Sequence, residues 1–174
     1  MPVIRLYEID NDYIDYLRQF DSKVLNHSGI TYSKTRKYLG VLLDINNCKY
    51  LAPLSSPEPK SDYINGQIRK SIIPIIRIVK LGTSNILLGK IKLSNMIPVY
   101  DMSVLSYYDI NKEQDLKYKN LVIDELRFIY ANKNLILKNA NKLYQQKIKN
   151  MSMGYVQATV DFILLEQKAK LYKK

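Results

Sequence analysis

Two adjacent hydroxyls, Ser55 and Ser56 in the segment Lys49-Tyr-Leu-Ala-Pro-Leu-Ser-Ser-Pro57, are the residues of this chain whose types and spacing best suit chemistry. A strand ending in Leu54 would carry them to the rim of a sheet, where Pro57 stops the ladder and fixes their direction. The strand expected to pair with it follows a loop, residues 22 to 37, that holds Lys23, Lys34, Arg36 and Lys37 and no acid. Hydroxyls beside guanidinium and ammonium groups can hold a phosphate: the cations offset its charge and the O–H groups donate to its oxygens. Taken alone, Ser-Ser-Pro also fits an ordinary turn.

Counting closes several other routes. A single histidine, His27, rules out a two-histidine nuclease, and a single cysteine, Cys48, rules out an internal disulfide or a Cys/His zinc site. Neither a phosphate-cradling glycine loop nor a recognisable hydrolase serine elbow occurs. The acids gather in residues 8 to 21 and around Asp124-Glu125, on a helix expected to be exposed, so they do not suggest the converging carboxylates of a two-metal nuclease. No metal and no cofactor are therefore expected. His27 fits a solvated loop residue as well as a proton carrier, and Cys48, with no base beside it, fits an inert thiol.

A chain of 174 residues suits one domain, 1-174, and its 27 Lys and Arg against 16 Asp and Glu leave a net charge of +11. Such an excess favours a polyanionic partner, with nucleic acid first. Six basic residues, Arg127, Lys133, Lys138, Lys142, Lys147 and Lys149, lie between Leu126 and Val160 without one acid, and this block is expected to contact RNA. For any single lysine a solvated face is the plainer reading. With no signal-peptide pattern and no apolar run near the length of a membrane span, a cytoplasmic protein is expected.

The elements that must position these residues read as sheet first and helices second. Residues 3 to 9 alternate as a strand, and a short helix spans Asp12 to Phe20. Tyr38 to Ile45 and Lys49 to Leu54 form a hairpin about Asn46-Asn47, since Asn tolerates positive φ. Further strand signals run through Ile68 to Leu81, Ile86 to Leu93 and Met96 to Tyr100. Helices follow over Lys112 to Ala131, with apolar residues at 116, 123, 126 and 130, and over Asn134 to Asn150. Gly154 reads as a break, and Val160 to Leu171 as a buried strand or helix start running into a last helix. The class is α+β in one domain.

Four segments carry a resemblance to a known family: Gly40-Val-Leu-Leu, Tyr50-Leu-Ala-Pro-Leu-Ser-Ser-Pro57, Leu93-Ser-Asn-Met-Ile-Pro-Val99 and Phe162-Ile-Leu-Leu-Glu-Gln-Lys168. In order and spacing the chain resembles the ToxN/AbiQ endoribonuclease toxins of type III toxin-antitoxin and phage abortive-infection systems. The resemblance implies a twisted antiparallel sheet with a Kid/MazF-like barrel core and added helices. It implies metal-independent cleavage of cellular or phage RNA by attack of the 2′-hydroxyl, leaving a 2′,3′-cyclic phosphate. It further implies neutralisation by a small repetitive, pseudoknot-like RNA antitoxin, cut from its precursor by the toxin and held in a closed ring of alternating protein and RNA, with no protein antitoxin and no membrane. The family's hydroxyl pair falls on Ser55 and Ser56, its loop tyrosine on Tyr32 and its basic residue before the strand glycine on Arg36, which make up the implied catalytic set. Lys34, Lys37 and Lys60 join the basic block as RNA contacts. Where the family often has lysine after Ser-Pro, this chain has Glu58, with Lys60 two residues on. Arg36 can clamp a phosphate but, with a pKa above ~12, makes a poor general base. A non-catalytic RNA-binding module is the alternative, and a DNA-binding regulator lacks its helix-turn-helix.

Overall fold

The computed structural model describes residues 4–27, 38–83 and 85–174. In chain order the elements are β1 (Leu6–Ile9), α1 (Asn11–Arg18), β2 (Leu39–Ile45), β3 (Cys48–Ser55), α2 (Pro59–Asp62), β4 (Tyr63–Ile64), β5 (Gln67–Ile68), β6 (Ile75–Val79), β7 (Leu87–Lys92), β8 (Ile97–Val99), β9 (Leu105–Tyr107), α3 (Leu116–Ala131), α4 (Lys133–Ile148), α5 (Gly154–Gln157) and α6 (Phe162–Leu171). Seven strands make one antiparallel sheet in the order β6-β7-β3-β2-β1-β9, with β8 also paired to β3. Its end strands, β6 and β9, are not paired to each other, so the expected barrel is an open sheet. β4 and β5 form a separate hairpin.

β3 is the hub of the sheet. β2 pairs along one edge from Gly40↔Pro53 to Ile45↔Cys48, after a tight turn in which Asn46 and Asn47 take φ of 49° and 60°. Both angles are those a two-residue type I′ hairpin requires. The other edge of β3 is shared: β8 takes Lys49 to Leu51, and β7 takes Leu54 and Ser55. Pro53, which has no N–H to give to a ladder, sits where the edge passes from β8 to β7.

Helices α4 and α6 are fastened to β3 by a buried aromatic cluster. Tyr144 and Phe162 stack with ring centroids 5.5 Å apart, and Tyr50 meets Phe162 edge-on at 5.6 Å. The hydroxyls of Tyr50 and Tyr144 both donate to Glu166 Oε1, at 2.6 and 2.9 Å. Burial and the Glu166 carboxylate keep the Tyr50 phenol far above the usual tyrosine range, hence protonated as a donor.

Several sequence expectations are corrected here. Of the two readings of Phe162 to Leu165, helix start is the one the structure has, because Asp161 caps it by accepting from the Leu164 amide. Gly154 opens α5 instead of breaking the chain, and Asp115 caps α3 so that the helix starts at Leu116. On α3 the buried residues are Tyr118, Val122, Glu125, Phe128 and Ile129, while Leu116 and Tyr130 are exposed. The inward stripe is thus 118-122-125-129, and Glu125, expected on an exposed face, is buried. The Asn65-Gly66 turn of the β4–β5 hairpin and strand β9 have no counterpart among the elements expected from sequence. No helix among the described residues is long and apolar enough to cross a membrane.

Gly40 marks the closest approach within the hub. A Cβ there would meet Leu51 Cγ at 2.6 Å and the Ala52 carbonyl oxygen at 3.0 Å. Gly40→Ala should therefore destabilise the protein by about 1–3 kcal/mol, as overpacking does. A shift in the urea midpoint at unchanged slope is the measurement.

Candidate functional site

The end of β3 sets the site. Ser55, its last residue, lies directly across from Lys90 on β7, and Lys90 lies directly across from Arg77 on β6. Opposed residues of an antiparallel ladder share a face, so Ser55, Lys90 and Arg77 form a row over three strands. All three are buried, at 0%, 2% and 6% exposure. Among the described residues the Ser55 hydroxyl has no hydrogen-bond partner, and a buried hydroxyl left unpaired costs about 1–3 kcal/mol.

Two buried cations side by side need an anion, and the turn after Pro57 brings one. Asp62, at the end of α2 and fully buried, accepts from Arg77 Nε at 3.0 Å through Oδ1 and from Lys90 Nζ at 2.9 Å through Oδ2. Oδ2 also accepts from the Glu58 amide at 2.7 Å. Burial alone would raise the Asp62 carboxyl, but the Glu58 amide, Lys90 and Arg77 together hold it below the usual carboxylate range. Arg77 gives two further donors to the backbone, Nη1 to the Lys70 carbonyl at 2.7 Å and Nη2 to the Ser61 carbonyl at 3.1 Å. The excursion from Glu58 to Ser71 is thus tied at several points to β6 and β7.

Glu58 closes the cluster from the solvent side. Its Oε1 lies 3.5 Å from Lys90 Nζ and 3.8 Å from Lys92 Nζ, and its Oε2 accepts from Ser61 Oγ at 3.1 Å. Among the described residues the resulting site has three cations, two anions and one hydroxyl without a partner, next to the half-buried Ser56. Such a constellation can receive an anion with hydrogen-bond acceptors.

Of the residues singled out from sequence, the structure places some at this site and some elsewhere. Ser55 and Ser56 adjoin it, though Ser55 is buried and not on an open rim. Lys60 is exposed on α2. Tyr32, Lys34, Arg36 and Lys37 lie outside the described residues. The basic block divides. Lys138 and Lys142 on α4, and Lys149 at its C-cap, are exposed in line with one another, opposite the buried Ile136, Ala140, Leu143 and Tyr144. Lys147 falls instead on the inward side of the helix, half-buried, and donates to the Val156 carbonyl at 3.1 Å. Lys133 stands over the Tyr130 ring at 5.1 Å, and Arg127 pairs with Asp124 at 3.0 Å. His27 contacts the Asp15 carboxylate at 3.1 Å, and burial pushes the Cys48 thiol up toward inertness.

Sequence reasoning missed Asp62, Arg77, Lys90 and Lys92. The available signal was charge at strand positions: Arg77 inside Ile-Ile-Arg-Ile-Val and Lys90 inside Leu-Leu-Gly-Lys-Ile-Lys. In the sequence, Arg77 reads only as an interruption of an apolar run. Among the described residues, no three His, Cys, Asp or Glu side chains gather as metal ligands do.

Comparison with known proteins brings this geometry into a family context. A family described as the toxin ToxN of type III toxin-antitoxin systems matches residues 5–170. Endoribonuclease ToxN of Pectobacterium atrosepticum is 32% identical over 98% of this chain and 95% of its own length. Endoribonuclease AbiQ of Lactococcus lactis is 31% identical over 98% and 90%. Among solved structures, a chain from a bacterial antiviral system regulated by a processed non-coding RNA superposes with a TM-score of 0.83 at 28% identity, covering 98% of this chain and 99% of that one. AbiQ, a lactococcal anti-phage endoribonuclease, superposes with a TM-score of 0.78 at 27% identity, covering 98% of both chains.

Asp62 is the residue whose loss the site should feel most. Asp62→Ala leaves two buried cations without their anion and should cost about 3–5 kcal/mol, read from denaturant unfolding. Because its carboxyl is held low, the wild-type stabilisation is fully present above about pH 4, the unfolded value, and is lost as pH falls through the folded value. A variant without Asp62 should therefore show a flatter acid limb of stability against pH.

Proposed function

Because this chain belongs to the ToxN family of toxins of type III toxin-antitoxin systems, we propose that it is an endoribonuclease toxin, inhibited by a small non-coding RNA, that cuts RNA at Ser55 and Ser56. The observation that carries the placement is the Ser55 hydroxyl, without a partner among the described residues and set in a row with two buried cations at the end of β3. A hydroxyl held at a cost of about 1–3 kcal/mol in the free protein gains when a phosphate oxygen reaches it.

The chemistry follows from the substrate. In RNA a 2′-hydroxyl can attack the adjacent phosphorus in line, so the protein must splay the strand, hold the phosphate and stabilise charge on its non-bridging oxygens. Ser56, the more accessible hydroxyl, donates to one such oxygen, and Ser55 is a second donor with its capacity unspent. Tyr32 and Arg36 join this assignment from sequence alone. The nucleophile is the substrate's own hydroxyl, so the cleavage leaves a 2′,3′-cyclic phosphate, and with charge on the phosphate met by side-chain donors it is metal-independent. The stripe of Lys138, Lys142 and Lys149 gives the wider RNA contact, through which the repetitive RNA antitoxin binds. The protein acts in the cytoplasm on cellular or phage RNA, and toxin and antitoxin alternate in a closed ring.

Expressed without its antitoxin, the wild-type chain should arrest growth, and the purified protein should cut RNA in excess EDTA. Ser55→Ala and Ser56→Ala should each slow cleavage by roughly two to three decades, the usual effect of losing one donor to a developing oxyanion. Full activity of the double variant would remove the site from the cleavage reaction, and strict Mg²⁺ dependence or a 5′-phosphate product would overturn the mechanism.

A separate measurement concerns the stripe. Neutralising Lys138, Lys142 and Lys149 together should weaken antitoxin binding and reduce its salt slope by about 0.7 for each single-strand phosphate that is no longer neutralised. Lys147→Gln should leave that slope unchanged. A triple variant with the wild-type slope would show that the stripe is only a solvated face.

A further inference from the structure

Lys90 and Lys92 stand on the same face of β7, two residues apart, and that face is the one that carries Ser55 and Arg77. Their surroundings differ in a way that matters. The Lys90 ammonium is fixed by Asp62 at 2.9 Å, with its side chain 2% exposed. Lys92 is 20% exposed, and its ion pair is the long contact of 3.8 Å to Glu58 Oε1. Glu58 is itself half-exposed and begins the turn immediately after Ser55-Ser56-Pro57. One carboxylate oxygen thus occupies the place between two ammonium groups at the mouth of the site.

We infer that Lys92 is a catalytic cation that contacts the scissile phosphate, and that Glu58 is its resident counter-ion, which the phosphate displaces. The inference rests on the proposed RNA cleavage and adds a residue to it. Both exchanging anions carry a single negative charge, a carboxylate leaving and a phosphodiester arriving, so the exchange leaves the charge of the site unchanged. Lys90 faces the same place, at 3.5 Å from Glu58 Oε1, but its ammonium is already held by Asp62 at 2.9 Å and its side chain is 2% exposed, so it has less freedom to close on an incoming phosphate. Lys92 gives up only a long contact to a side chain that water can solvate in its place. Burial, opposed by Glu58, also holds the Lys92 ammonium below the usual lysine value, so it is incompletely hydrated and gains more from a phosphate than an exposed lysine would. A developing negative charge on a non-bridging oxygen strengthens that attraction in the transition state.

The test is single-turnover cleavage of a short RNA at concentrations spanning half-saturation, with the thermal midpoint of each variant measured alongside. Lys92→Ala and Lys92→Gln should lower the saturating rate by about 10²-fold with a smaller change in half-saturation, at an unchanged thermal midpoint. Lys92→Arg should recover most of the rate, since the charge is what acts. Glu58→Gln, which removes the competing anion, should lower the half-saturating RNA concentration severalfold. Wild-type cleavage with Lys92→Ala equally fast would overturn this assignment while leaving the proposed function standing. An equal loss in Lys92→Arg and Lys92→Ala would make the role one of packing and overturn it too, and an unchanged half-saturation in Glu58→Gln would refute the displacement. A wild-type chain that cuts no RNA would overturn the function and this inference together.

Discussion

A single buried carboxylate, Asp62, holds the site in shape. It takes the Arg77 guanidinium, the Lys90 ammonium and the Glu58 amide at once, and without it the two buried cations would lose the one buried carboxylate that they share. Burying ions is expensive, and an ion cluster of this kind is no proof of net stability. What it does secure is geometry. Arg77 and Lys90 come from adjacent strands, so their common anion fixes where the excursion after Pro57 lies on the sheet. The backbone contacts of Arg77 to Ser61 and Lys70 extend that constraint along the excursion. The direction in which Ser56, Pro57 and Glu58 leave β3 depends on it.

The same strand is held from the other side by apolar packing. Tyr50 alternates with the residues of the Ser55 face and meets Tyr144, Phe162 and Glu166 among the helices. β3 is therefore clamped between an aromatic cluster and an ionic one. An immobile end for this strand suits the reaction proposed for it, because donors aimed at a phosphate are effective only when they need no reorganisation. The helices serve a second purpose: α4 turns Ile136, Ala140, Leu143 and Tyr144 inward and leaves Lys138, Lys142 and Lys149 outward. In the proposed function, cleavage and the wider RNA contact fall on different elements, which lets mutations separate them.

The sequence by itself determined the hairpin at Asn46-Asn47, because two consecutive residues tolerant of positive φ between apolar strands leave few other solutions. It determined the change from sheet to helices after residue 112, the excess of positive charge, and, through the Tyr50 to Pro57 segment, the family. It did not determine the inward face of α3, where a stripe through Tyr118, Val122, Glu125 and Ile129 prevailed over apolar residues at 116, 123, 126 and 130; the choice between two helical stripes was made by the neighbours the helix meets. Nor did it determine that Lys147, in a run of similar lysines, turns inward to the Val156 carbonyl. Above all, only the tertiary structure joined Ser55, Asp62, Arg77, Lys90 and Lys92. These residues lie on three strands and a short helix, and a charge in an apolar strand reads as an interruption until cross-strand register shows which partner neutralises it.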